Sequence, residues 1–294
     1  MSFVHETLLY ESERELVERL VPFVRGGLTA GEAVMVALPA PSIRALRGAL
    51  GADADAVRFV DMVALGRNPG RIIPAWREFV DAAGGQPVRG VGEPAYAGRS
   101  ADELDECMRH ERLLNTAFAG GTSWQLICPY DVGAADSETL AAAAECHGEH
   151  SAVDDDPYAG ALPDPPASAR ELSFSSGRLS ELRSAVAAGA TRAGLGPDRT
   201  FDLTLAVTEL AANSIRHAGG TGIARTWTQD GTLVWEVTDG GRVEDPLAGR
   251  IRPVDHLPDG RGLWMVHQIA DLVRVRSSEA GTVVRVHVEP AVEV

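Results

Sequence analysis

The sequence predicts two α/β domains in tandem: a mostly parallel α/β domain over residues 1–152 and a two-layer α/β sandwich over residues 168–294. Three observations carry that prediction. Short apolar runs alternate with helical periodicities through the first half, the pattern of strands joined by helices. The second half pairs its strands around tight turns after two consecutive helices. Between them Asp154 to Pro166, DDDPYAGALPDPP, is acidic, proline-rich and without periodicity, and reads as a linker over 153–167.

Taken in order, residues 5–10 form a short strand. An amphipathic helix follows, with Leu16, Val17, Leu20, Val21 and Val24 inward and Gly26-Gly27 as its stop. Ala33 to Leu38, AVMVAL, is a continuous apolar run, as expected of a strand buried on both faces of a parallel sheet. Helices are expected over 43–50, 74–83 and 101–119, and strands over 57–60, 88–91 and 123–128. Tyr10, Trp76, Tyr96, Trp124 and Tyr130 suit an aromatic pocket and ordinary core packing equally well.

Composition narrows the function. All 27 basic residues are Arg, and the net charge of −15 argues against a nucleic-acid or acidic-membrane surface. No apolar run approaches the ~20 residues of a membrane span. The acidic N-terminus is unlike a signal peptide, and three widely spaced cysteines, Cys107, Cys128 and Cys146, fit reduced thiols, so a cytoplasmic location is expected.

A parallel α/β domain invites a search for a phosphate loop, and none is present: without Lys, G-x4-G-K-[ST] cannot occur, and no G-x-G-x-x-G follows the first strand. His5-Glu-Thr-Leu-Leu-Tyr10, Pro22-Phe-Val-Arg-Gly-Gly-Leu28 with Gly31-Glu32, Gly92-Glu93-Pro94 and Cys128-Pro-Tyr-Asp131 resemble the MEDS family of sensory domains. That resemblance implies a RecA-like domain without its phosphate loop, sensing an unknown small ligand. Glu145-Cys146-His147-Gly148-Glu149-His150 has metal-ligand residue types, which Cys128 or Cys107 would complete, but its His pair falls at a helix end beside a Gly with no C-x2-C partner, so it reads as a solvated helix end. His110-Glu111 is similar to a phospho-accepting pair; a strand, a helix and a linker separate it from the second domain, so His110 reads as structural.

The second domain opens with a strand at Glu171 to Phe174 and a helix over 180–193. A longer helix starts near Pro197 and runs through Leu205 to Gly219, LAVTELAANSIRHAG. Leu205, Val207, Leu210, Ala211, Ile215 and Ala218 give it an apolar stripe. Glu209, Asn213 and His217 stand four apart along one edge, a spacing that suits a hard cation on Asn213 with Glu209 orienting a nucleophile, and suits a solvated polar face as well. Strands 222–228 and 233–237 pair around Gln229-Asp230-Gly231, and 273–276 and 283–288 around Glu279-Ala-Gly281.

Three ordered blocks, Glu209-x3-Asn213, Asp239-Gly240-Gly241 and Asp259-Gly260-Arg261-Gly262-Leu263, resemble the N, G1 and G2 boxes of the GHKL ATPases, the Bergerat fold; the short form is most similar to the anti-sigma-factor serine/threonine kinases. The resemblance implies ATP and Mg2+, with Asp239 reading adenine and Gly241 giving it access. It further implies Asn213 as metal ligand, Glu209 as catalytic base, and Gly260, Arg261, Gly262 and Leu263 at the phosphates, with His217 and Thr282 also at the nucleotide. Residues 242–258 would form the lid, with Arg250 or Arg252 at phosphate. Val243 replaces the last glycine of the family's D-x-G-x-G pattern. The implied function is a regulator of transcription that phosphorylates a STAS-type anti-sigma-factor antagonist or holds a sigma factor. The alternative is a non-catalytic binding module. Leu233, Trp235 and Val237, alternating on one strand, are expected to leave an outer apolar face for a homodimer.

Overall fold

The computed structural model describes residues 3–120, 123–147, 156–253 and 260–290. The chain divides into two compact units, Met1–Asp155 and Asp156–Val294.

In the first unit every strand pairing is parallel. Strands β1 (Val4–Tyr10), β2 (Ala33–Leu38), β3 (Val57–Asp61), β4 (Val88–Gly92) and β5 (Trp124–Asp131) lie in the order β1-β5-β4-β2-β3. Helices α1 (Glu13–Thr29), α2 (Ala40–Leu50), α3 (Met62–Leu65), α4 (Ile72–Ala82), α5 (Ala101–Ala117) and α6 (Ser137–Cys146) connect and follow them. Burial of Val34 through Leu38 matches the doubly covered strand its apolar run predicts. Leu16, Leu20 and Val24 of α1 and Leu46 and Leu50 of α2 pack into one core with Leu8, Val34, Val36 and Leu38. Tyr10, Trp76, Trp124 and Tyr130 are buried, and Trp76 packs on Trp124 with ring centroids 5.4 Å apart, so these four aromatics are core.

One helix stop is misplaced by sequence reasoning. Gly26 and Gly27 lie inside α1, which continues to Thr29. Their missing side chains make room for Arg89: a Cβ on either would stand 3.0–3.1 Å from its side chain. Arg89 in turn donates to the Phe23 carbonyl and pairs with Glu32 at 2.6 Å. The glycines serve packing here, which no local signal distinguishes from a stop.

The second unit is an antiparallel sheet, order β6-β7-β8-β10-β9, from β6 (Arg170–Ser175), β7 (Thr221–Gln229), β8 (Thr232–Asp239), β9 (Leu272–Ser278) and β10 (Gly281–Val288). Helices α7 (Leu179–Arg192), α8 (Pro197–His217) and α9 (Arg261–Ile269) complete it, as the two-layer prediction requires. Asp230 and Gly231 both have positive φ, 50° and 81°, the conformation of a type I′ hairpin turn.

Two expectations change. Tyr158, inside the predicted linker, is buried in the core of the second unit and donates its hydroxyl to the carbonyl of Asp245 at 2.8 Å; the Pro163 carbonyl accepts from Arg285. Anchoring of this kind is invisible to composition, because proline and aspartate signal only the absence of regular structure. Leu233, Trp235 and Val237 belong to the core with Leu182, Val186 and Leu210 of the helices. They are the inner face, so the alternation offered for a homodimer supports none.

The opposite face is charged and partly closed. One register row across it reads Glu171, Arg225, Glu236, Arg285 and Arg274, one residue from each strand. Opposite charges meet at 2.9 Å (Arg225–Glu171), 3.1 Å (Arg225–Glu236) and 2.6 Å (Arg285–Glu236).

Candidate functional site

Helix α8 builds the site. Its buried face carries Leu203, Ala206, Val207, Leu210, Ala211 and Ser214, while Leu205, Ile215 and Ala218 are half-buried. The sequence-predicted stripe is thus rotated slightly, and the rotation turns Ser214 inward. The neighbouring edge, Glu209, Asn213 and His217, borders two adjoining cavities of about 670 Å³ and 510 Å³. Asn213, His217, Arg252, Pro253, Gly260 and Gly262 line both, so the two form one cleft.

The inner cavity is bounded by Asp239 at the end of β8, by Gly241, by Thr282 of β10, and by Leu247 and Ile251 of the segment that follows β8. Asp239 is held from two sides: Ser214 Oγ donates to Oδ2 at 2.5 Å, and the Gly241 N–H donates to Oδ1 at 2.8 Å. Thr282 Oγ1 donates to the Gly241 carbonyl at 2.9 Å and contacts Ser277 Oγ at 2.8 Å, which accepts from the Val243 N–H at 2.9 Å. One short web therefore joins α8, β8, β9, β10 and the base of the expected lid. A Cβ on Gly241 would stand 2.7 Å from that of Ala218, and one on Gly281 would stand 2.2 Å from the Asp239 carbonyl oxygen. Both positions exclude any side chain by close approach.

The outer cavity is lined by Glu209, Arg216, Arg252 and Arg261 together with the start of α9. Gly260 occupies its N-cap at φ 87° with no side-chain cap, and the first-turn N–H groups have no partners within the helix. Such an end favours anionic oxygens. Gly262 lies against the Glu209–Asn213 edge: a Cβ there would meet Asn213 Nδ2 at 2.9 Å and Glu209 Oε2 at 3.3 Å. Asn213 Oδ1 accepts from Arg216 at 2.9 Å.

All ten residues singled out from sequence lie on this cleft: Asn213, His217, Asp239, Gly241, Gly260, Gly262, Leu263 and Thr282 on the inner wall, and Glu209 and Arg261 on the outer. Arg250 is buried away from these walls, whereas Arg252 is exposed and lines both cavities. Asp259 and residues 254–258 of the lid lie outside the described residues. Val243 packs against the core. His110 is 1% exposed, out of reach of a phosphotransfer partner. Ser214 and Ser277 were not singled out from sequence. Ser214 had a signal: it continues the apolar stripe one turn past Leu210, where a polar side chain needs a partner.

The residues fit a nucleotide bound with a divalent cation. Carboxylate oxygens accept more than one hydrogen bond each, so Asp239 retains capacity for an amino group after Ser214 and Gly241. Leu247, Ala248 and Ile251 supply apolar wall for a flat ring. Three arginines and a helix N-terminus face the outer cavity, where phosphate charge would lie.

Comparison with known proteins agrees with this architecture. Residues 4–148 match the MEDS family, the methanogen/methylotroph DcmR sensory domain, and residues 172–288 match the histidine kinase-like ATPase domain family. No curated protein matches the chain. One solved structure it is similar to holds the RsbU and RsbW domains of Rv1364c from Mycobacterium tuberculosis, at 17% identity over 42% of this chain and a TM-score of 0.32. The match spans 34% of that chain, and a superposition that distant fixes neither fold nor partner.

Proposed function

We propose a function for a chain that carries an N-terminal MEDS domain and a C-terminal histidine kinase-like ATPase domain: ATP-dependent phosphorylation of a serine or threonine on a STAS-type anti-sigma-factor antagonist, set by a small ligand of the N-terminal domain. The observation that carries the reading is the meeting of Glu209, Asn213 and the N-terminus of α9 on one wall of a cleft whose far end is Asp239. Asp239, oriented by Ser214 and Gly241, would accept the adenine amino group. Asn213 and the α9 N-terminus would hold Mg2+ and phosphate, and Mg2+ would supply charge neutralisation at the transferred phosphoryl group. Glu209 borders the same outer cavity and would orient the acceptor hydroxyl and take its proton. A histidine kinase would need an accessible acceptor, and His110 is buried.

One observation favours the non-catalytic alternative: Asn213 Oδ1 is engaged by Arg216, so a cation must displace that contact. A single series separates the two readings. Mg-ATP binding is measured by calorimetry, and transfer of labelled phosphoryl to purified STAS-type proteins is then followed. Tight binding with transfer that Glu209→Ala abolishes, while nucleotide binding persists, is the expected result. Binding without transfer to any antagonist leaves a static nucleotide module. No binding removes the ATP reading altogether.

A further inference from the structure

In the first unit, outside the cleft, four side chains from distant parts of the chain converge in the interior. His5 comes from β1, Cys128 from β5, Glu111 from α5, and His147 caps the C-terminal end of α6. The parallel register sets Thr7 opposite Cys128, so His5, two residues before Thr7, shares the Cys128 face. One ligand atom of each of the four lies within 4.8 Å of the others. His5 Nε2 is 3.2 Å from Cys128 Sγ and 3.0 Å from Glu111 Oε2, and His147 Nε2 is 3.2 Å from the same oxygen. The Glu111 side chain is fully buried, and those of both histidines are 4% exposed.

The hydrogen bonds at the far side of each ring determine what the near side presents. The Asn115 amide nitrogen donates to the Cys146 carbonyl at 3.0 Å, which leaves its oxygen facing His5 Nδ1 at 3.2 Å. His147 Nδ1 lies 2.6 Å from the Ala143 carbonyl. Both partners accept only, so each Nδ1 carries a proton, and each Nε2 is turned toward the buried Glu111 carboxylate. Neither Glu111 oxygen nor His147 Nε2 has a hydrogen bond of normal geometry. Unless an Nε2 proton charges a ring, lone pairs face an anion in a dry interior, which is costly. They are favourable around a shared cation, and a backbone or amide acceptor behind each imidazole is the usual support of a metal-binding histidine.

We propose that His5, Glu111, Cys128 and His147 form a four-ligand site for one divalent transition metal ion, with zinc the best fit. Bonds of about 2.0 Å to nitrogen and oxygen and about 2.3 Å to sulfur place tetrahedral donors about 3.3–3.5 Å apart, against 3.0–3.2 Å for the three contacts above and at most 4.8 Å for the others. One thiolate, one carboxylate and two neutral imidazoles balance a charge of +2 without further counter-ions. The mixed nitrogen, sulfur and oxygen set excludes Mg2+ and Ca2+, which take oxygen ligands. Protein ligands fill all four positions, so the site is a tie between β1, β5, α5 and α6 rather than a hydrolytic centre. Cys146 of the sequence cluster donates its Sγ–H to the Met108 carbonyl and Cys107 donates to that of Pro94, and neither belongs to the set. Glu149 and His150 lie outside the described residues.

The test uses the full chain. Elemental analysis after expression with added zinc should give one metal per chain, and removal by a chelator should lower the melting temperature of the N-terminal unit reversibly. Replacement by Co2+ should produce a thiolate charge-transfer band that Cys128→Ser abolishes and Cys146→Ser and Cys107→Ser retain. Where Cys128→Ser fails to fold, X-ray absorption on the wild-type zinc protein decides, with one sulfur and three lighter donors expected. A folded, metal-free chain with no cobalt band, or a band that survives Cys128→Ser, overturns the proposal and leaves a proton-shared His–Glu–His cluster.

Discussion

Ser214 donates its hydroxyl to Asp239 Oδ2 at 2.5 Å, fixing the carboxylate from the helix side while the Gly241 N–H fixes it from the loop. A hydrogen bond to a charged group contributes about 1.5–3 kcal/mol, and about 1.4 kcal/mol is tenfold in affinity. Ser214→Ala should therefore weaken nucleotide binding by about 10- to 100-fold in calorimetry while the unit stays folded. Unchanged affinity would mean that Gly241 alone orients Asp239.

Glu236 is 2% exposed and pairs with Arg285 and Arg225 on the two neighbouring strands. Removing it leaves the Arg285 guanidinium buried without its anion. Breaking a buried pair in this way costs about 3–5 kcal/mol. Arg225 is a quarter exposed and also reaches Glu171, so its loss should cost far less. Chemical denaturation of Glu236→Ala and Arg225→Ala should rank them in that order, and equal losses would contradict this account of the charged row.

Tyr158 makes residues 156–167 part of the second unit. A fragment beginning at residue 168 loses that buried ring and the Pro163 carbonyl that accepts from Arg285. Loss of a large buried aromatic costs about 3–5 kcal/mol, so fragment 156–294 should melt well above fragment 168–294. Equal melting temperatures would show that the segment only lies on the surface.

The Glu93 carboxyl accepts from the Tyr10 hydroxyl at 2.6 Å. Burial pushes it up from its usual 4.5 to about 7; the Tyr10 hydrogen bond opposes that and the charge of Asp131 adds to it. Between those values the folded unit keeps a proton that the unfolded chain has released. The stabilising contribution is full below the window and lost as pH rises to about 7. Stability of the N-terminal unit should then fall by on the order of 3 kcal/mol across that window, and Glu93→Gln should flatten the profile. A wild-type profile parallel to that of Glu93→Gln would contradict the assignment.

The two-unit plan and most elements are legible along the chain, because period and turn chemistry act within a few residues: AVMVAL reads as a doubly buried strand, and Asp230-Gly231 as a hairpin turn. Helix geometry sets Glu209, Asn213 and His217 on one edge, and the other cleft residues follow from the resemblance of the three blocks to the GHKL ATPases. The rest depends on contacts made across the fold. Whether Gly26-Gly27 ends a helix depends on Arg89, which is 63 or 62 positions away in sequence. Which face of β8 is inward depends on where α7 and α8 lie. Ser214 finds Asp239 only because the sheet brings that strand end under the helix. Cys128 and His147 share a cluster with His5 and Glu111, and Cys146 does not, because parallel register and helix direction set which side chains converge. Contacts between residues far apart along the chain leave no local trace, and the metal-type cluster is made wholly of such contacts.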